Sequence, residues 1–375
     1  MVTKYFPPVS YGGTEKYIEV VSRKLSEKGL AITVLGPSKD RKITYQRDGR
    51  VLVCRVPLYQ LKSIDFSIQM MNCAKSLSYD LVHFNTFGML CRFLRPVLKS
   101  PYVITTHGFF WKNPNVTNPI KYLFKVKILK DNFVNADQIF CVSMKDYENV
   151  INMFGYQPNK VWYLPNGVDI QKFSNQKKNS LKRKHGVENK IVITHVGRFA
   201  PQKGQHILLN ALSIMPESAK EKYVAILAGY PFSHKYFLGL KQTMKTNKLE
   251  KHVAFWPEIS DDLVKDLYGM TDIFVLPSFV EGLPLTLLEA WASKCAVVVT
   301  AVGGLPYVVK NGIDGFVVPP NDPVALSQRM ADLVLNDERR IDFSKQGFER
   351  VKNEFDWDNA IEFLIKRYQE ILESS

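Results

Sequence analysis

The chain reads as an α/β protein built from two parallel-sheet domains, and three observations predict it. Short apolar runs alternate with helix-length segments along the whole length, which is the signature of parallel strands covered on both faces. The alternation breaks once, at a polar, lysine-rich run over 172–186, and then resumes. A length of 375 residues with 46% apolar content can bury two cores of ordinary size.

The first domain opens on a very short strand, Met1-Val2-Thr3, followed by the loop "KYFPPVSYGG" with its paired glycines Gly12 and Gly13. A helix over 14–28 places Tyr17, Val20 or Val21, and Leu25 on one face, and Gly29 stops it. Strands are expected at 31–36, 51–56, 80–85, 102–108, 138–143 and 160–165, with helices near 65–78, 87–99, 117–135 and 144–154. The turn "PNGVD" (165–169) and the lysine-rich run mark the boundary, the run being read as a solvated segment rather than a nuclear address or nucleic-acid arm. The domains are therefore placed at 1–168 and 169–356. Strands of the second are expected at 190–197, 223–229, 252–256, 272–276, 296–300 and 315–318. Beyond about 322 the chain is mainly helical, and residues 357–375 end in a helix striped by Ile361, Leu364, Tyr368 and Leu372. The triplet "DWD" (356–358) looks like a metal-binding DxD, but it precedes this helix and suits an N-cap.

Composition narrows the function classes. No apolar run reaches membrane-span length and no signal peptide is visible, so a cytoplasmic protein is expected. Five scattered cysteines without a CxxC read as buried free thiols. The net charge of +14 sits almost wholly in residues 1–165, which hold 23 Lys and Arg against 11 Asp and Glu. Such a half attracts polyanions: nucleic acid, anionic lipid or phosphorylated acceptors.

Two stretches of the second domain carry chemistry. "PSFVEGLPLTLLEAW" (277–291) closes a strand, makes a loop and opens an apolar helix, with Pro284 suited to the first turn. The amides of Gly282, Leu283 and Leu285 are then orphan donors at a helix N-terminus, an anion site a phosphate can approach closely. Glu281 stands before the helix, and Glu289 stands among Leu287, Leu288, Ala290 and Trp291, where a carboxylate needs a partner. Two carboxylates around anion-seeking amides suit a ligand with hydroxyls at both ends and phosphates between, such as a nucleotide-sugar. The plainer alternative has Glu281 solvated and Glu289 paired with a surface lysine. In "HVGRFAPQKGQHILLNAL" (195–212), Arg198 and Lys203 flank a strand-to-helix loop, as a diphosphate site requires, although neither GxxxxGK[ST] nor GxGxxG is present.

Taken together, "GRFAPQKG", "PSFVEGLPLTLLEA", "GGLPYVV", "NGIDGFVVPPND" and "PNGVD" resemble the retaining glycosyltransferases of GT-B fold known as glycosyl transferases group 1, or glycosyltransferase family 4. Glu281 and Glu289 match the family's E-x7-E signature, and the resemblance as a whole covers the second domain strongly and the first loosely. The resemblance implies two Rossmann-like domains facing across a cleft, with the last helix crossing back to the first, acceptor-binding domain. It implies that Glu281 meets the donor sugar, Glu289 the ribose hydroxyls, and Arg198 and Lys203 the diphosphate, with the amides of Gly282, Leu283 and Leu285 assisting. Gly12 and Gly13 match glycines that let backbone approach the donor phosphates, and His107 in "TTHG" matches a histidine near the anomeric centre; a core histidine at a strand end is the competing reading. Retention without metal or other cofactor is implied, the nucleoside-diphosphate sugar (UDP- or GDP-linked) being a co-substrate.

Two departures from the family stand out. Only Met1 and Val2 precede "TKYFPP", where the family has a longer apolar strand, so either the start lies upstream or the strand is short, and both weaken the first domain. Tyr307 occupies a position where the family commonly has Glu. The basic segment 118–133, mixing lysines with Tyr122, Phe124, Leu129 and Phe133, reads either as a docking helix for an anionic membrane at the inner face of the plasma membrane or as a core helix with a solvated face. The acceptor is expected to be a sugar, lipid-linked or phosphorylated. The alternatives to a hexosyltransferase are a sugar-nucleotide epimerase or hydrolase on the same scaffold, a catalytically idle binding subunit, and a nucleic-acid-binding protein, the last opposed by the absence of any recognition motif.

Overall fold

The computed structural model describes residues 1–7, 12–40, 42–61, 64–108, 119–174 and 178–374. They form two compact units, one of Met1–Asn166 with Asp358–Ser375 and one of Gly167–Trp357.

In the first unit, Thr33–Pro37 pairs in parallel with Val51–Val56, and Val82–Phe84, Tyr102–Thr106, Gln138–Cys141 and Val161–Tyr163 follow one another in a parallel ladder. A single residue joins these halves: Val2 bridges Leu35 on one side and Phe84 on the other. Its amide donates to His83 O at 2.8 Å and its carbonyl accepts from Asn85 N at 2.8 Å. The expected opening strand is thus one bridging residue.

The sheet is not wholly parallel. Thr44–Asp48 runs antiparallel to Val51–Val56 at the edge, and all five of its side chains are exposed. A small antiparallel pair, Tyr59–Leu61 with Ile64–Phe66, precedes the helix Ile68–Ser76, which therefore starts later than its sequence pattern suggests. Both faces of the sheet are covered: the neighbouring residues Val103 and Ile104, and Ile139 and Phe140, point to opposite faces and all are enclosed, as are Val34 and Val53. The final helix, Trp357–Ser374, belongs to this unit. Its buried stripe is Ile361, Leu364, Tyr368 and Ile371, whereas Leu372 is 43% exposed, so the 3.6-residue period ends the stripe one position earlier than expected. The Tyr368 hydroxyl bonds the buried His83 ring, and Lys24 Nζ reaches Asp358 Oδ1 at 2.6 Å. Asp358 of the "DWD" triplet is thereby occupied, and Asp356 bridges Val168.

The second unit has six parallel strands in the order Val253–Pro257, Tyr223–Gly229, Ile191–Val196, Ile273–Leu276, Ala296–Thr300, Phe316–Val318. The chain works outward from the central strand to one edge, then crosses to the other, the doubly wound order whose switch point lies between Ile191–Val196 and Ile273–Leu276. Alternate residues feed two cores: Ile193, Ile273 and Val275 on one face, Val192, Val196, Phe274 and Leu276 on the other.

The lysine-rich run is not a solvated linker. It forms the short helices Ile170–Ser174 and Lys178–Lys184 against the second unit. Lys182, 7% exposed, reaches Asp272 Oδ2 at 2.5 Å, and Lys178 reaches Oδ1 at 3.2 Å. Asp272 also accepts from Val192 N at 2.8 Å, so one partly buried carboxylate ties this run to the start of the central strand. All five cysteines are free and buried.

Candidate active site

The site in the second unit lies at the C-terminal edge of its sheet, where three loops meet. The first, 197–204, leaves the central strand, passes through the 3-10 turn Pro201–Lys203 and enters the helix Gln205–Ser213. Gly204 sits at φ +70°, and a β-carbon there would lie 1.9 Å from the Pro277 carbonyl oxygen. Phe279 N donates to Gln202 O at 2.9 Å, fixing this loop to the second, 277–284. The third loop carries Gly303 at φ +55°, whose β-carbon would fall 1.6 Å from the Glu281 carbonyl oxygen, and Gly304 N donates to Gly282 O at 3.1 Å. Only glycine allows both approaches.

This packing brings the predicted charges together. Glu281 is buried, not solvated: its Oε1 accepts from Lys203 Nζ at 2.7 Å and from Ser278 Oγ at 2.6 Å. Pairing with a cation and a hydroxyl is what makes a carboxylate tolerable at that depth. Pro284 is the cap residue just before the helix Leu285–Ala292 rather than a member of its first turn, and its carbonyl accepts from Leu287 N at 3.2 Å. No side chain caps this helix, so the positive end of its dipole faces the loop that holds Glu281. Gly282, Leu283 and Leu285 lie there as expected, with Leu283 and Leu285 burying their side chains in the unit.

Glu289 is buried on the same helix, beside the buried Tyr268 phenol, whose pKa is driven well above its ordinary value by burial and then by this neighbouring carboxylate. The Tyr268 hydroxyl also reaches Thr286 O at 3.3 Å.

Arg198 is held differently. Its backbone carbonyl accepts from Gln205 Nε2 at 2.8 Å, and its guanidinium lies over the Phe232 ring, 5.1 Å from the centroid. Gln205 Nε2 also donates to His195 Nε2 at 3.1 Å, while His195 Nδ1 donates to Val275 O at 3.0 Å. Burial pushes the His195 pKa down to about 4, with the Lys203 charge adding to the effect, so the ring is neutral near pH 7. His195, Gln205 and Ser278 are site residues that sequence reasoning missed. The signal was there in "HVGR" and "KGQ", two polar side chains beside the cations at the end of an apolar strand.

The first unit gathers the other predicted residues. His107 follows the strand Tyr102–Thr106; its Nε2 donates to Asn85 Oδ1 at 3.2 Å, and Tyr17 meets it edge-on with centroids 4.7 Å apart. Burial pushes its pKa down to about 3, so it is a neutral hydrogen-bonding group. Tyr17 lies on the helix Gly13–Glu27, which Gly12 precedes without a side-chain cap. The turn beyond His107 is braced by Asp146, whose Oδ2 accepts from Thr106 Oγ1 at 2.9 Å and Gly108 N at 3.0 Å. Residues 8–11 of the glycine loop and 109–118 after His107 lie outside the described residues. Tyr307, at the position of the family's usual Glu, is 43% exposed.

Residues 177–350 match the family model described as glycosyl transferases group 1, and residues 11–172 match glycosyltransferase family 4. D-inositol 3-phosphate glycosyltransferase of Geodermatophilus obscurus is 24% identical over 95% of this chain and 84% of its own. UDP-Gal:alpha-D-GlcNAc-diphosphoundecaprenol alpha-1,3-galactosyltransferase of Escherichia coli is 29% identical over 70% of this chain and 68% of its own. In fold, the chain is similar to sucrose-phosphate synthase from Thermosynechococcus elongatus, with a TM-score of 0.84 at 18% identity over 100% of this chain and 98% of the other. It is also similar to Anabaena Alr3699/HepE in complex with UDP-glucose, with a TM-score of 0.77 at 19% identity over 100% and 98% of the two chains. Two family models in tandem, one on each Rossmann-like unit, place the chain among the group 1 glycosyltransferases (glycosyltransferase family 4), and its fold is GT-B.

Proposed function

We propose that the protein transfers a hexose from a nucleoside-diphosphate sugar to an acceptor hydroxyl, with retention at the anomeric carbon and without a metal. The observation that carries this is the pairing of Lys203 with the buried Glu281 beside an uncapped helix N-terminus, with Arg198 on the adjoining loop and Glu289 inside that helix. The Lys203 ammonium has three donors and gives one to Glu281, which leaves two for diphosphate oxygens. Arg198 and the amides of Gly282 and Leu285 add donors where charge develops as the diphosphate leaves. Glu281 accepts from the sugar hydroxyls and Glu289 from the ribose. The anomeric C–O bond to the diphosphate breaks, the acceptor oxygen bonds the same face, and its proton passes to a leaving phosphate oxygen. His107, neutral at this pH, supplies a hydrogen bond rather than a charge. The donor is expected to be UDP- or GDP-linked; UDP is the first choice because Anabaena Alr3699/HepE binds UDP-glucose in the same fold.

A lipid-linked or phosphorylated acceptor fits the basic first half, and the Escherichia coli relative bears the name of an enzyme acting on a diphosphoundecaprenol substrate. Among the described residues no helix is long and apolar enough to cross a membrane. In the helix Pro119–Val134, Leu129 and Phe133 are core residues while Lys127 and Lys130 are exposed, so these two lysines are available for docking on anionic lipid at the inner face of the membrane. The side chains of Tyr122 and Phe124 lie outside the described residues. Failure to float with anionic vesicles at low salt rejects that docking.

The direct test is thermal stability against UDP, GDP, ADP and their sugar conjugates in the presence of a chelator, followed by transfer to sugar and lipid-phosphate acceptors with the product anomer read by NMR. A ligand at a hundred times its Kd adds about 2.7 kcal/mol to the folded state. Glu281→Gln and Lys203→Ala should each cut transfer by roughly a hundredfold or more with the fold kept. Unchanged rates remove these residues from the site, sugar release independent of acceptor favours a hydrolase, and a salt-sensitive shift with DNA but none with nucleotides favours a polyanion-binding protein.

A further inference from the structure

The two cations of the site are restrained by opposite means. Lys203 is tied to a carboxylate, whereas among the described residues no carboxylate pairs with Arg198. What meets its guanidinium is the face of Phe232, a side chain that is 65% exposed and contributes little to any core. The backbone holds this ring in place. Phe199 N donates to Tyr230 O at 2.8 Å, Ser233 N to Phe199 O at 3.3 Å, and Phe232 N to Tyr230 O at 2.9 Å, so loop 230–233 is laced to the residue that follows Arg198. Ser233 then caps the helix His234–Thr246, which pins the loop from its other end.

We propose that Phe232 is a positioning residue for Arg198, acting through the face of its ring, an inference that rests on the diphosphate-binding role given to Arg198 above. A carboxylate partner would occupy guanidinium donors that an incoming diphosphate must displace. A ring face attracts the cation through its quadrupole and offers no oxygen acceptor, so the guanidinium N–H donors are not committed to a carboxylate. An arginine has many rotamers, and one already held over a ring enters the complex with part of its ordering cost met. Phe232 thereby restricts Arg198 before the ligand arrives, without competing with it.

The test compares Phe232→Leu, which keeps apolar bulk without a ring, with Phe232→Tyr, which keeps the face. Phe232→Leu should weaken binding of the nucleoside diphosphate by roughly three- to tenfold, leave the affinity for the unphosphorylated nucleoside unchanged, and be rescued by Phe232→Tyr. In an Arg198→Ala background Phe232→Leu should have no further effect. A loss that persists in that background overturns the proposal, because Phe232 would then touch the ligand itself. A second measurement is independent of any nucleotide: the Arg198 Nε–H resonance, assigned by its absence in Arg198→Lys, should carry a ring-current shift that disappears in Phe232→Leu and survives in Phe232→Tyr. A resonance unmoved by Phe232→Leu overturns the proposal. Failure of the wild type to bind any nucleoside diphosphate would count against the assigned activity, while the resonance would still decide whether Phe232 holds Arg198.

Discussion

Glycines line the functional loops of both units, but they answer to different neighbours. In the second unit a β-carbon at Gly204 or Gly303 would strike backbone, the Pro277 and Glu281 carbonyl oxygens, at 1.9 and 1.6 Å. In the first unit a β-carbon at Gly13 would meet nothing within 4 Å, whereas one at Gly12 would lie 2.9 Å from a carboxylate oxygen of the buried Glu15. The second-unit glycines are demanded by the fold, because three loops could not close around Lys203 and Glu281 with anything larger. Among the described residues, nothing in the packing of the first unit demands Gly13. A glycine that the protein's own contacts do not require is the kind that a ligand's close approach would require, and this separates a site built by packing from a surface left open.

The largest expected effect tests the built side. Gly303→Ala places a methyl group in a left-handed conformation and against the Glu281 backbone, and it should destabilise the second unit by on the order of 3–5 kcal/mol. Urea unfolding measures this. A loss under 1 kcal/mol would show that the loop yields and that the pairing of Lys203 with Glu281 does not depend on it.

The same contrast explains what could be read in advance. The strands of the second unit were legible because each is a short apolar run buried on both faces, and their ends fell within a residue or two of the expected ones. Thr44–Asp48 was not legible: it is an antiparallel edge whose five side chains all face solvent, so it leaves no apolar pattern. Lys178 and Lys182 looked solvated because composition cannot see Asp272, some ninety residues away, as their shared partner. Arg198, Lys203 and Glu281 stood out as charges in loops that follow apolar strands, and Glu289 as a carboxylate within an apolar helix. Their partners did not, since the contacts of Lys203 with Glu281, Tyr268 with Glu289 and Arg198 with Phe232 join different loops and helices. Motifs identify the charged groups of such a site; the structure identifies what restrains each one.

An intermediate effect follows from the neutral histidines, one in each site region. Burial holds His195 down to about 4 and His107 to about 3, against roughly 6.5 in an unfolded chain. Both shifts are downward, so below pH 6.5 the unfolded chain takes up protons that the folded one refuses. Stability then falls as pH falls, by up to about 1.4 kcal/mol per pH unit for each histidine. His195→Gln should flatten the pH dependence of the urea midpoint between about 6.5 and 4, and His107→Gln should flatten it further, down to about 3. Variant curves parallel to the wild type would mean that these rings are protonated in the folded protein, and a neutral His107 could not then be assigned to the sugar.

The smallest effect on stability is the most informative about the open side. Gly13 begins the helix Gly13–Glu27, and its φ is not among the positive ones, so alanine fits the backbone and meets no neighbour. Alanine in place of glycine near a helix start should raise stability slightly, by about 0.5 kcal/mol. If donor phosphates approach this backbone, the same methyl group should weaken nucleotide-sugar binding by roughly tenfold, an ordinary cost for one misplaced contact at a tight polar site. Stability and affinity would then move in opposite directions at Gly13, whereas at Gly303 both would fall. Unchanged affinity in Gly13→Ala would leave Gly13 without a ligand to explain it, and donor phosphates would not be assigned to this backbone.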